Sequence, residues 1–201
     1  MTAPETLIYG SLLVYTAAAG TARPTYISDA VDTEDWTLLG SAGYGDQAPG
    51  GVKIGHPITT TLWRGEGSVP RAVALTEEDV TVEVAIAEFN AANYAMSLGD
   101  KSVTAIAQDT GVPGSNNFDL YRGASKLGPV AILCRGSSPE MQGGTLEYYV
   151  PYAVQNTTVE PQFQKSDPAL IAFVFQALED PTSPSTDRIG QLRIQTAAPG
   201  A

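Results

Sequence analysis

Across residues 79–88 the apolar Val80, Val82, Val84 and Ile86 alternate with Thr81, Glu83, Ala85 and Ala87, the period of two expected of a half-buried strand. After Phe89 the period lengthens. Asn90 is placed to cap a helix, Ala91, Tyr94, Ala95 and Leu98 share one helical face, and Gly99 falls where a left-handed residue ends the turn. Phe89 and Tyr94 then occupy the two positions of a hydrophobic staple, which sets the angle at which the strand enters the helix. About two turns of helix are not stable alone, so the pattern requires a sheet beneath it. Taken alone, this stretch also fits a plain strand–helix corner of any α+β domain.

Most other segments read as strands placed around this corner. Residues 7–17 predict a first strand or strand pair with a break at Gly10, and Trp36, Leu38 and Leu39 are expected to fold back onto the core before Gly40. The Gly-rich run 41–51 reads as loop. Residues 52–54 and 57–63 are strand-like, with Ile58, Thr60 and Leu62 facing one way and Thr59, Thr61 and Trp63 the other. Further strands are predicted at 102–107, 129–134, 146–152, 159–163 and 169–178, with a hairpin closed by 136–144 and a loop over 109–119. The run 129–134 is almost continuously apolar, and so is 169–178 on both faces, which marks buried or central strands. Residues 180–187 have the composition of a linker, 189–194 add a short edge strand, and the tail 196–201 is expected to fray.

Composition narrows the class. The 201 residues suit one domain, and a Gly- and Pro-rich chain with few charges favours short strands joined by turns. The acidic residues, 22 against 11 basic, give a net charge of −11 that lacks the electrostatic footprint of a nucleic-acid binder. A low-charge surface also suggests cover by other copies. The single Cys134 excludes an internal disulfide, and with His56 as the one histidine no structural zinc set can form, so a reduced compartment is expected. The apolar opening is preceded by Glu5 and no base, the wrong flank for a secretion signal, and it is short and Gly-broken for a membrane span.

Candidate chemistry is sparse. Asp29, Asp32, Glu34 and Asp35 lack the spacing of a calcium loop and read as a solvated turn. The Gly-rich run matches neither the dinucleotide nor the P-loop pattern, and residues 123–127, GASKL, miss the nucleophile elbow at the last position. Cys134 sits in an apolar strand, the setting of a core residue more than a nucleophile, and Asn156-Thr157-Thr158 is a chance glycosylation triplet in a chain without a secretion signal. No catalytic residue, cofactor or metal is expected. The protein reads as a non-enzyme.

Three blocks together resemble the major tail tube proteins of long-tailed (siphovirus-type) bacteriophages and gene transfer agents. The first is the opening, with its Gly20-Thr21-Ala22-Arg23-Pro24 turn and the Trp-x-x-Leu-Gly pattern from Trp36 to Gly40. The second is the strand–helix corner. The third is the closing stretch, where Tyr148 to Val154, Lys165-Ser166-Asp167 and Phe175-Gln176-Ala177-Leu178 fall in the family's order, although Pro161 interrupts a strand that is usually continuous there. The resemblance implies a β-sandwich or partial barrel with one short flanking α-helix, assembled as hexameric rings whose inner strands join a ring-wide barrel. Stacked rings would make a virion tail tube, built in the cytoplasm of a bacterial host. Its partners would be further copies, a tape-measure protein and terminator or tail-tip proteins, with DNA passing unbound through an acidic lumen and no membrane involved. Other readings are a secretion-system tube protein, another tail component, and a small-molecule-binding β-barrel.

The connector 64–78 is far longer than a hairpin turn requires, and its apolar residues need cover. By the resemblance it would be a long loop reaching the neighbouring ring through Arg64, Glu66, Val69, Arg71, Val73 and Leu75, mobile in the monomer and ordered on stacking.

Overall fold

The computed structural model describes residues 12–40, 46–64, 70–99, 103–118, 120, 128–139, 143–156, 158–163, 165, 168–182 and 188–198. Its strands are Leu13–Ala18 (β1), Thr37–Leu38 (β2), Gln47–Gly55 (β3), Ile58–Arg64 (β4), Pro70–Glu78 (β5) and Thr81–Ile86 (β6), then Thr104–Ile106 (β7), Ser115–Asn117 (β8), Val130–Ser137 (β9), Thr145–Gln155 (β10), Ile171–Ala177 (β11) and Gln191–Ile194 (β12). One helix, Ala91–Ser97 (α1), follows β6. The fold is mainly β, a sandwich or partial barrel with a single short helix among the described residues.

The main antiparallel sheet runs β2-β1-β9-β10-β11-β6-β3, with β12 also on β10. The long strand β10 turns the corner. Its Leu146 to Tyr149 pair with β12, its Ala153 to Gln155 pair with β11, and β9 lies along the other edge. The register shifts between Val150 and Ala153, the irregularity that lets one strand leave one layer for the other. Between the layers lies a core of Val14, Val82, Val84, Ile86, Ile132, Cys134, Ile171, Phe173 and Phe175, among others. The last two rings stack 5.7 Å apart, so the interior is filled with side chains.

The apolar run in β9 is explained by cover on both faces. Ile132 and Cys134 face the main core, while Ala131 and Leu133 face a second cluster under Trp36, Val31 and Tyr149. Trp36 and Leu39 are buried as expected. Strand β11 is central, with β10 and β6 on its two edges. That arrangement also explains why 159–163 is not a strand: both edges beside it are taken, and Pro161 lacks a donor.

Other expectations change in detail. The Gly-rich run is partly strand, because Gln47 pairs Ile86 and the next partner, Val52, pairs Val84, leaving Ala48 to Gly51 as a bulge that tolerates Pro49. The loop at 109–119 contains β8, which pairs β7, and a bridge between Asp109 and Val112 around Gly111 at φ 75°. In α1 the buried residues are Asn93, Ala95, Ser97 and, just beyond, Leu98, while Ala91 and Tyr94 are only half-buried. Small polar side chains tolerate burial here because local backbone satisfies them: Asn93 Nδ2 donates to Glu88 O at 3.3 Å, and Ser97 Oγ donates to Tyr94 O at 2.7 Å. Asn90 caps the helix, accepting from Asn93 N at 2.7 Å, and Gly99 is left-handed at φ 94°. The segments 123–127 and 183–187 lie outside the described residues.

Candidate functional site

Within the connector 64–78, the described residues from Pro70 to Glu78 are not an open loop. From Pro70 onward it is strand β5, which pairs β4 through Thr60↔Leu75, Leu62↔Val73 and Arg64↔Pro70. Alternation suits the sequence to this ribbon, and β-branched and aromatic residues make up most of β4. Among the described residues, β4 and β5 pair with each other and with no other strand. Asp79 N donates to Pro57 O at 3.0 Å, so the β3–β6 ladder, last paired at Gly55↔Thr81, carries across the junction into β4–β5. The result is an arm that prolongs the β3–β6 ribbon beyond the sheet.

The register fixes what the arm presents. Ile58, Thr60 and Leu62 share one face, opposite Glu78, Leu75 and Val73 in turn, and Trp63 lies on the other face opposite Ala72. Ile58 is 61% exposed and Trp63 69%, and Leu62, Val73 and Leu75 are also exposed. So many large apolar side chains on a two-stranded ribbon mark an interaction surface, because such a ribbon has no core of its own. Arg64 ends β4, Arg71 belongs to β5, and Glu66 and Val69 lie outside the described residues.

At the opposite end of β6 lies the expected staple. Phe89 and Tyr94 stand 5.2 Å apart, ring centre to ring centre. The pair does not close off a core. Phe89 is 44% exposed and belongs to a longer row, 5.1 Å from Phe163, while Tyr94 is 5.8 Å from Phe118. Phe163 is 70% exposed. Reading 159–163 as a strand hid this row, since no local pattern brings Phe163 to the helix.

A half-open groove of about 740 Å³ opens where β10 parts from β12 toward β11, lined in part by His56, Asp79, Tyr148, Gln176, Leu178 and Arg188. Its floor is set by a close approach: Gly190, at φ 152°, lies so near that a Cβ there would be 2.5 Å from Tyr149 O. Tyr149 itself donates from its hydroxyl to Thr21 O at 2.9 Å. Burial pushes that hydroxyl's pKa up, against the pull of the Arg23 guanidinium, which sits 5.5 Å over the ring. Cys134 is fully buried and its thiol is pushed up to about 12 by burial, the state of an inert core thiol. Among the described residues, no group of three or more His, Cys, Asp or Glu is placed to hold a metal ion. Asp29, Asp32, Glu34 and Asp35 are exposed.

One buried ionic group was not foreseen. Glu147 is fully buried between Arg135 and Arg193, which meet its two oxygens at 2.9 and 2.8 Å through their Nε atoms. The two arginines reach on to backbone carbonyls of Asp29, Pro24 and Thr25, and so tie the 24–29 turn to the sheet. An acid in the otherwise apolar LEYYV run was the available signal.

No protein-family model matches the chain, and no curated protein matches it.

Proposed function

We propose that this chain is the repeating subunit of a tail tube, assembling into rings that stack into a conduit for DNA. The single observation that carries the reading is the β4–β5 arm, an exposed ribbon rich in apolar side chains that pairs with no other strand among the described residues. The mainly β fold with one short helix and the three sequence blocks point the same way. The net charge of −11 suits a conduit, since a lumen that gathered phosphates would hold the DNA it must release. Six copies per ring and tape-measure, terminator or tip proteins as partners belong to the same proposal.

The groove beside β10 favours a second reading, a small-molecule binder, because its volume falls within the range of ligand sites. Purification followed by sedimentation and negative-stain imaging separates the two. Rings or tubes without added ligand are expected, and a strict monomer at high concentration would count for the binder. The arm is tested by replacing residues 61–74 with Asn-Gly, which leaves Thr60 and Leu75 paired across a tight turn. That variant should fold and form rings but no tubes.

A further inference from the structure

Strand β12 is lightly secured to the main sheet. Among the described residues it pairs with β10 alone, over Gln191 to Ile194, and its Leu192 is 47% exposed. The chain just before it is anchored, since Asp180 N donates to Arg188 O at 2.7 Å. Gly190, at φ 152°, separates that anchor from the strand. A short edge strand that follows a glycine can leave while the chain before the glycine stays in place.

Charge decides what the sheet keeps when β12 goes. The buried carboxylate of Glu147 faces two guanidinium groups, one more positive charge than it needs. Arg135 belongs to β9, which is held on both edges by β1 and β10, whereas Arg193 belongs to β12. Loss of Arg193 is costly, which keeps β12 seated, but Glu147 still keeps Arg135 and is not left without any base.

We infer that the edge of β10 from Leu146 to Tyr149 is a strand-binding site in which β12 is the resident, exchangeable occupant. What the site selects follows from what β12 presents. The segment Leu192-Arg193-Ile194 sets an arginine between two aliphatic residues; the arginine meets Glu147, and the backbone completes the ladder. The partner that fits is therefore an extended peptide with an arginine flanked by aliphatic side chains, and β12 is its competitor within the chain. Exchange also frees the neighbouring turn, because Arg193 donates to the carbonyls of Pro24 and Thr25 and Arg23 donates to Gln191 Oε1. This inference does not rest on the tube reading.

The test uses the full chain and a fluorescent peptide of sequence 189–196. Wild-type protein should bind it weakly, because a tethered strand competes at an effective concentration on the order of millimolar. The full chain carrying Arg193→Ala holds its own strand less firmly and should bind the peptide about tenfold more tightly or better. A peptide carrying Arg193→Ala should bind neither protein. Equal binding of the two peptides would overturn the proposal, and so would a folded Arg193→Ala chain that binds neither. A second measurement does not need that variant to fold. In a chain carrying Ile194→Cys, peptide at roughly millimolar concentration should displace β12 and speed labelling of the new thiol, since Cys134 is buried. A labelling rate that the peptide leaves unchanged, or that the peptide without arginine raises equally, overturns the exchange and leaves the tube reading untouched.

Discussion

Glu147 stands directly across the sheet from Arg193, its Oε1 2.8 Å from the arginine Nε, with the carboxylate fully buried. On the other side of β10, Arg135 holds the equivalent place. A carboxylate in this position is costly to strip of a partner, because a charge taken out of water has nothing else to face. Arg193→Ala also frees the carbonyls of Pro24 and Thr25. The expected loss is about 3–5 kcal/mol in urea denaturation. Replacing Glu147, Arg135 and Arg193 together by apolar residues should recover most of it. A loss below about 1 kcal/mol for Arg193→Ala would show that the group is solvated in solution.

Cys134 gives a test in alkaline solution. Its thiol pKa is raised from 9.0 to about 12 by burial, so the folded chain holds this proton more tightly than the unfolded one. The associated stability is complete below 9.0 and is lost as pH rises toward 12, at about 1.4 kcal/mol per unit. Tyr149 is shifted in the same sense, so the wild type is compared with Cys134→Ala, in which the thiol's share of the slope should vanish. Identical slopes for the two proteins would contradict the burial. Labelling by a thiol reagent near neutral pH should likewise track unfolding.

The partial exposure of Phe89 lowers what its removal costs. A fully buried phenylalanine would lose roughly 3–5 kcal/mol on truncation. With 44% of its surface exposed and its rings in an open row, Phe89→Ala should cost about 1 kcal/mol. Asn90→Ala, which removes the cap on Asn93 N, should cost a similar amount. Chemical denaturation ranks them, and a loss above about 3 kcal/mol for Phe89→Ala would place that ring in the core.

Acidic balance predicts weak contact with nucleic acid. With a net charge of −11, the protein should leave duplex DNA unshifted in a gel even at low salt. Tight binding there would contradict a passive lumen.

Alternation in β6, the apolar run of β9 and the cap and stop of α1 were legible in the sequence because each is a local pattern. Strand 159–163 failed for a non-local reason: whether an apolar stretch pairs depends on whether a neighbouring edge is free, and β11 has none. The connector 64–78 misled through its length. Counted as a link between strands it is too long for a turn, but its Pro70 to Glu78 are themselves a strand, and the alternation that marked 57–63 continues there. Of the aromatic row only the Phe89–Tyr94 pair was legible, since Phe163 and Phe118 come from segments with no periodic relation to the helix. The Glu147 group was half legible, as a buried acid demands a base, though not which one.

Gly190 tests the corner where β12 joins β10. Its φ of 152° is one that side chains rarely adopt, and a Cβ would lie 2.5 Å from the backbone oxygen of Tyr149 and 3.4 Å from Val150 Cα. The obstacle is backbone, held by β10's pairing with β9 through Val150↔Ile132, so it cannot rotate aside as a flexible side chain would. Gly190→Ala should therefore cost about 1–3 kcal/mol and loosen β12 from β10. Because Arg193 belongs to β12, the loss should propagate to Glu147, and amide exchange should quicken across Gln191–Ile194 before it does in β9. Gly143→Ala is the control: its φ of 76° is strained, but nothing lies within 4 Å of its Cβ. If Gly190→Ala destabilises no more than Gly143→Ala, the close approach at Tyr149 is not what holds the corner.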